Sequence, residues 1–147
     1  MPNVISLKGS PLIKEAIAAA AGILPGHRLD LTINGAVLEV GVAGVATEDD
    51  PGRKAFAVEN PEVGSELTVV YPDNSQVKYI VARTGDEVQI RTPASLTWAV
   101  GAPLYAAAAG RVGDVPLATG VAAAPIGYAM TAVSSSSADD LATMEVA

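Results

Sequence analysis

The stretch VKYIVARTGDEVQIR, from Val77 to Arg91, decides the fold class. Apolar and polar residues alternate on both sides of Thr84-Gly85-Asp86, which is a sequence typical of a turn. Before the turn, every second residue from Val77 to Val81 would share one face. After it, Val88 and Ile90 would point inward while their neighbours point outward. This period of two predicts a pair of half-buried β-strands.

The segment RLDLTINGAVLEV, residues 28–40, predicts a β-hairpin. Asn34-Gly35 fits the two-residue type I′ turn that joins antiparallel strands. With that turn the facing pairs would be Ile33 with Ala36, Leu31 with Leu38, and Leu29 with Val40, which makes one face apolar. On the other face Asp30 would lie opposite Glu39, a mildly destabilising pair. Either Arg28 on the diagonal or a basic partner would relieve that repulsion.

Shorter apolar runs separated by turn residues continue to the end of the chain. The further predicted strands are Ala55–Val58, Glu66–Tyr71, Leu96–Val100, Leu104–Ala107, Arg111-Val112, Ile126–Val133 and Met144–Val146. The predicted loops are 41–53, the turn at 72–74, the segment 113–125 and the polar stretch 134–140, which we expect to be mobile. Many short strands at this spacing predict an all-β domain, either a small β-sandwich or a barrel-like fold.

The first 22 residues comprise two segments, 1–11 and 12–22, and each segment allows two structural interpretations. Residues 1–11 are broken by Pro and Gly, so we predict an extended N-terminal arm, ordered by a neighbouring subunit or frayed, followed by one domain over 12–147. Residues 12–22 (LIKEAIAAAAG) have strong helix propensity, yet the alanines give a helix little to bury. An extended or irregular segment leading into Ile23, Pro25 and Gly26 is the favoured alternative.

Composition excludes several classes of function. The net charge of −7 argues against nucleic-acid binding, which depends on Lys and Arg neutralising phosphates. The absence of cysteine excludes disulfides and thiolate ligands. We see no signal peptide and no apolar run of the ~20 residues that span a bilayer, so we expect a soluble chain without membrane contact. The low content of charged residues and the high content of alanine are typical of a protein surface that is covered in an assembly. A high-GC genome, which raises the alanine content, is the alternative explanation.

No motif indicates catalysis, a metal or a cofactor. His27 is the single histidine and is interpreted as a surface or hairpin-edge residue. Glu48-Asp49-Asp50 lacks the alternating oxygen ligands of a calcium loop. We interpret it, and Asp139-Asp140 as well, as a solvated turn, with contact to a basic partner surface as the alternative. The chain contains neither a G-x-S-x-G elbow nor a G-x-G-x-x-G loop. We therefore predict no catalytic, metal or cofactor-binding residues, and a protein that is not an enzyme.

An ordered series of segments resembles the capsid cement, or head decoration, proteins of tailed bacteriophages. The segments are KGSPLIKEA (8–16), ILPGHRLDL (23–31), AFAVEN (55–60), VKYIVARTGDEV (77–88), WAVGAPLYAAAAGRV (98–112) and IGYAMTAV (126–133). Pro103 departs from the family pattern and removes a backbone donor. The segment 113–125 is poorly matched, which leaves the contact there open.

The resemblance implies a structural virion protein on the outer capsid surface, made in the host cytoplasm. Such proteins bind the major capsid protein, bridge neighbouring subunits to stabilise the shell, and form homo-oligomers that are commonly trimers. On this basis the expected capsid-contact residues are Val4, Ile5, Leu7 and Lys8. Tyr105 and Trp98 are the expected subunit-interface residues, although the simplest interpretation of Trp98 is a core anchor. The alternative is a β-sandwich module that recognises a host receptor or carbohydrate.

Overall fold

The computed structural model describes residues 5–9, 11–44, 54–64, 66–115 and 124–147. Eleven strands in this part of the chain are β1 (Ser6–Lys8), β2 (Leu12–Ala18), β3 (Leu29–Asn34), β4 (Val37–Val42), β5 (Ala55–Ala57), β6 (Gln76–Val81), β7 (Glu87–Arg91), β8 (Pro103–Ala106), β9 (Val112–Gly113), β10 (Gly127–Ala129) and β11 (Leu141–Val146). One 3-10 turn covers Pro61–Val63, and the described residues contain no α-helix. The prediction of an all-β fold is confirmed.

The strands form two sheets. The six-stranded sheet has the order β1-β7-β11-β10-β8-β9, and all of its pairs are antiparallel. The five-stranded sheet has the order β3-β4-β2-β6-β5, in which β2 and β4 run parallel. Each strand of the VKYIVARTGDEVQIR stretch belongs to a different sheet, so the turn at 84–86 carries the chain from one layer to the other.

The five-stranded sheet curls until its two edges approach each other. The Ala57 N–H donates to the carbonyl of His27 at 3.0 Å, and the Gly26 N–H donates to the carbonyl of Ala57 at 2.8 Å. Arg28 and Phe56 form an isolated antiparallel bridge at the same place. These bonds join the start of β3 to β5 and close one end of a half-barrel.

Two hydrophobic cores result from this arrangement. The core between the sheets includes Ile5, Phe56, Ile80, Val88, Ile90, Trp98, Leu104, Ile126 and Met144. The core inside the half-barrel includes Leu29, Val40, Tyr71, Val77 and Tyr79, with four alanines from β2 and β5. The interior of a small barrel has little room, so alternating small and large side chains fill it. This narrow interior accounts for part of the high alanine content.

Residues 12–18 adopt the extended alternative, as β2. Strand pairing and burial outweigh the helix propensity of this segment. Ala16 and Ala18 are buried in the half-barrel core, and β2 pairs with β6 over six residues. Two predicted strands are wrong. Glu66–Tyr71 forms turns, because Tyr71 turns inward and its N–H donates to the carbonyl of Ile23 at 2.8 Å. Leu96–Val100 makes only one bridge, between Trp98 and Val133.

The predicted hairpin exists, but its turn lies one residue later than expected. Asn34 pairs with Val37, so Gly35 and Ala36 form the loop. Gly35 alone of these two has a positive φ, of 61°, which fits a type II′ turn rather than type I′. Moving the turn by one residue shifts the facing pairs by two, and each side chain therefore keeps its face. Glu39 now faces Thr32, and its predicted repulsion with Asp30 is absent.

Valine at position 35 is expected to destabilise the protein by about 1 kcal/mol or more, because a β-branched residue resists a positive φ. No atom lies within 4 Å of an added Cβ there, so the cost is one of backbone conformation. Gly41→Val is the matched control, since Gly41 also has open space around it but no positive φ. Urea unfolding of both variants checks this. Equal midpoints would contradict the turn assignment.

Candidate functional site

The predicted capsid-contact residues lie in and beside β1. Ile5 is fully buried in the core between the sheets, so its side chain contacts its own domain. Lys8 is exposed and forms an ion pair with Glu87 at 3.3 Å. Val4 lies outside the described residues, and the side chain of Leu7 is also outside them. β1 pairs only with β7 and is the edge strand of its sheet. Capsid contact through Lys8 and through the free edge of β1 therefore stays a prediction.

Of the two predicted subunit-interface residues, one is buried and one lies on a sheet face. Trp98 is 5% exposed, and its indole N–H donates to the carbonyl of Thr131 at 3.1 Å. This position agrees with the core-anchor interpretation. Tyr105 is half-buried on the outer face of the six-stranded sheet. Pro103 and the exposed Tyr128 face each other on the same side of that sheet. The three side chains form an outer patch that we call the tyrosine face.

A polar cluster of buried and half-buried side chains joins the half-barrel to the six-stranded sheet. The Nε2 atom of His27 lies 3.0 Å from the Oδ1 atom of Asp139, which is 112 residues away. Arg111 binds both carboxylate oxygens of Asp139, through Nε at 2.9 Å and Nη2 at 3.1 Å. Arg91 donates to the backbone carbonyls of Asp139 and Pro25. The interpretation of His27 as a surface residue is wrong, because it is 5% exposed.

The hydrogen bonds of this cluster link loops from both sheets, which indicates a structural role. The Leu24 N–H donates to Nδ1 of His27 at 3.1 Å, so the ring carries its proton on Nε2, facing Asp139. Both ring nitrogens are therefore occupied, and neither is available to activate a hydroxyl group. Among the described residues, no three His, Asp or Glu side chains form a group that could hold a metal ion. Sequence reasoning missed this cluster because its members share no local spacing.

Acid is expected to destabilise the fold through this cluster. Hydrogen bonding to Arg111, followed by that to His27, lowers the pKa of Asp139 from 3.8 to about 2. Burial lowers the pKa of His27 below 6.5. Both groups take up protons more readily in the unfolded chain, so their full contribution to the free energy of unfolding is present above pH 6.5. Stability falls below pH 6.5 as His27 takes up a proton in the unfolded chain. Asp139 removes about 2 kcal/mol more as the pH falls from 3.8 to about 2.

Urea unfolding measured from pH 8 to pH 2.5 checks this behaviour. His27→Gln should flatten the profile below pH 6.5, and Asp139→Asn should flatten it below pH 3.8. A wild-type profile that is level between pH 7 and pH 3 would contradict the proposed linkage.

The open end of the half-barrel forms a cleft of about 300 Å³. We call it the barrel mouth, and its lining residues are Lys14, Leu31, Lys54, Ala55, Tyr79 and Val81. Further apolar side chains on the inward face of the hairpin and of β2 are exposed to solvent. Ile33 is 77% exposed, Leu12 is 50% exposed and Leu38 is 39% exposed. We call these three residues the rim. Exposed apolar groups clustered around a concave surface are typical of interaction sites.

Among the described residues, no helix is long and apolar enough to cross a membrane. Comparison with known proteins gives no matching family model and no matching curated protein. One similar solved structure is the N base of the head fibre protein gp8.5 of bacteriophage phi29. It aligns with a TM-score of 0.60 and 14% sequence identity, over 94% of this chain and 95% of that chain. At that identity the likeness defines the fold, which is that of a small two-sheet β-domain.

Proposed function

We propose that this chain is a structural protein of a tailed-bacteriophage head, bound to the outer surface of the capsid. The observation that carries the proposal is the fold likeness to the head fibre base, which extends over nearly the whole of both chains. Two independent lines support it. The ordered sequence segments resemble capsid decoration proteins, and the polar cluster around His27 holds the fold together instead of presenting a free acid or base.

The surface of the domain suits repeated contacts between proteins. The rim presents large apolar side chains to solvent, and the tyrosine face presents a second, separate patch. Aromatic residues are enriched at protein interfaces, where they bury a large area at small entropic cost. Two distinct patches allow one patch to contact the capsid and the other to contact a second copy of the chain. We propose a homo-oligomer, a trimer by the decoration-protein resemblance, that bridges neighbouring major capsid subunits.

Co-sedimentation tests the proposal. The purified chain is mixed with capsids assembled from the major capsid protein of the same genome, and with capsids of an unrelated phage as the control. We expect saturable binding to the first capsids alone, and an increase in their resistance to heat or chelators. Absence of the chain from the capsid fraction over the micromolar range would contradict a capsid-bound role.

The alternative function, recognition of a receptor or carbohydrate, is favoured by the tyrosine face. Tyr128 is 43% exposed on a β-sheet surface that also presents Glu145 directly opposite it. Exposed aromatic rings beside hydrogen-bonding groups provide a surface on which sugar rings stack. A Tyr105→Ala/Tyr128→Ala variant separates the two possibilities. Loss of self-association in light scattering supports an interface between copies, whereas loss of binding to host cells with an unchanged oligomer supports recognition.

A further inference from the structure

We propose that the barrel mouth is the docking site for an extended segment of the capsid protein, one that carries an apolar side chain and at least one carboxylate. This inference rests on the proposed function and names the surface and the chemistry through which it operates. Three features of the described residues support it: an uncovered apolar interior, a strand that is unpaired along part of one side, and an exposed lysine, Lys14, at a cleft whose described lining contains no Asp or Glu.

The apolar interior of the half-barrel is filled at one end, and at the other end none of the described residues covers it. Leu29 and Val40 are fully buried on the inward face of β3 and β4. Because side chains alternate along a strand, Ile33 and Leu38 belong to the same inward face, yet both are exposed. The cleft lined by Leu31, Lys14, Tyr79 and Val81 on the same inward face is large enough for one or two side chains of a partner. A globular surface would not enter a cleft of about 300 Å³, whereas an extended segment would.

The backbone of β2 is paired on one side only along its first half. Its ladder with β6 runs from Leu12 to Ile17, but its ladder with β4 contains only the pairs Ile17 with Glu39 and Ala18 with Val40. The hairpin therefore separates from β2 toward its tip, and no ladder pairing joins the described hairpin residues to Leu12–Ala16. An extended peptide that adds to such an edge gains main-chain hydrogen bonds, and its alternate side chains enter the pocket beside it.

The charge at the barrel mouth is opposite to that of the whole chain. The chain has a net charge of −7, yet the lining contains Lys14 and Lys54 and no carboxylate. Lys14 is exposed and lies on the same inward face of β2 as Ala16 and Ala18. The Lys54 ammonium donates instead to the backbone carbonyl of Ala147, which follows β11 in the other sheet. The nearest acidic residues of the strands point away from the mouth: Glu15 bonds to Gln76, and Glu39 bonds to Asn34, both on the outer face. The exposed Lys14 beside an apolar cleft without a described Asp or Glu in its lining complements a peptide that carries a carboxylate.

Matched double variants test the docking site. Lys14→Gln/Ile33→Ser alters the mouth and rim, while Lys78→Gln/Ile13→Ser makes the same changes on the opposite face of the same sheet. Ile33 and Ile13 are 77% and 67% exposed, so both variants should keep the wild-type melting temperature. In co-sedimentation with capsids at low salt, we expect the mouth variant to bind at least tenfold more weakly and the control to bind within twofold of wild type.

The outcomes separate this inference from the proposed function. If wild-type chain binds capsids and both variants bind equally well, the docking site is elsewhere and the capsid role stands. If wild-type chain does not bind at all, the capsid role itself fails. If the mouth variant loses self-association but still binds capsids, the occupant is a second copy and the inference is overturned.

Zero-length cross-linking identifies the occupant directly. Carbodiimide couples a lysine amine to a carboxylate in contact with it, so the wild-type complex should give cross-links from Lys14 or Lys54 to Asp or Glu residues within one short segment of the capsid protein. Lys14→Gln should abolish the Lys14 product. Cross-links from these lysines to this chain alone, in capsids that have bound it, would overturn the inference.

Discussion

Replacing Arg91 with methionine is expected to destabilise the domain by about 3 kcal/mol. The residue is 5% exposed, and its guanidinium group donates to the backbone carbonyls of Pro25, Leu67 and Asp139. Methionine keeps much of the side-chain volume but leaves buried carbonyl oxygens without a donor, and each such loss costs about 1–3 kcal/mol. The three carbonyls lie in separate loops, so their common attachment to β7 would be lost.

Arg83→Met is the matched control for this prediction. Arg83 is exposed in the turn after β6, so the same substitution should change stability by less than about 0.5 kcal/mol. Urea unfolding followed by tryptophan fluorescence reports both variants, because the single Trp98 lies in the core. Similar midpoints for the two variants would show that Arg91 does not hold the loops together.

Replacing Phe56 with alanine should have an effect of similar or larger size, about 3–5 kcal/mol. Phe56 is the single phenylalanine of the chain and is fully buried between the two sheets. Its backbone also bridges Arg28 where the half-barrel closes. Most of the surrounding core residues are Val, Ile or Ala, with Trp98, Leu104 and Met144 among them, and the short branched side chains cannot fill the space that a phenyl ring leaves.

Two further variants give this prediction its scale. Phe56→Leu retains most of the buried volume and should cost much less, on the order of 1–2 kcal/mol. Tyr128→Ala removes an aromatic ring from an exposed position and should be nearly neutral. Thermal unfolding ranks the three. A Phe56→Ala protein as stable as the leucine variant would show that the ring is not packed between the sheets.

The fold class could be predicted because alternation with a period of two is a local signal. It marked β6 and β7 correctly, and both lie within two residues of the predicted bounds. Hairpin register was less accessible, since Asn34-Gly35 and Gly35-Ala36 both provide a glycine where a turn needs one. The prediction of a strand over 66–71 was wrong because the apolar residues of this segment do not share one buried face. Tyr71 is buried in the half-barrel core, whereas Val69 and Val70 are exposed.

The candidate sites could be predicted only in part. The sequence named Lys8 as a contact residue and Tyr105 as an interface residue, and both roles stay predictions. Trp98 lies in the core, and its surroundings depend on how the sheets pair. The His27–Asp139 contact joins residues 112 positions apart, and no sequence spacing signals it. The barrel mouth likewise brings together residues from β2, β3, β5 and β6, with Lys54 beside them. Lys14 and Leu31 look unrelated in the sequence and line one cleft only because the five-stranded sheet curls.

The central claim is that this two-sheet domain is bound to the outside of a phage capsid. Cryo-electron microscopy of capsids assembled from the major capsid protein of the same genome, with and without the added chain, tests it most directly. We predict additional density on the outer surface at symmetry-related positions, into which the two sheets fit with the barrel mouth facing the shell. Identical maps with and without the chain, or density confined to the capsid interior, would contradict the account.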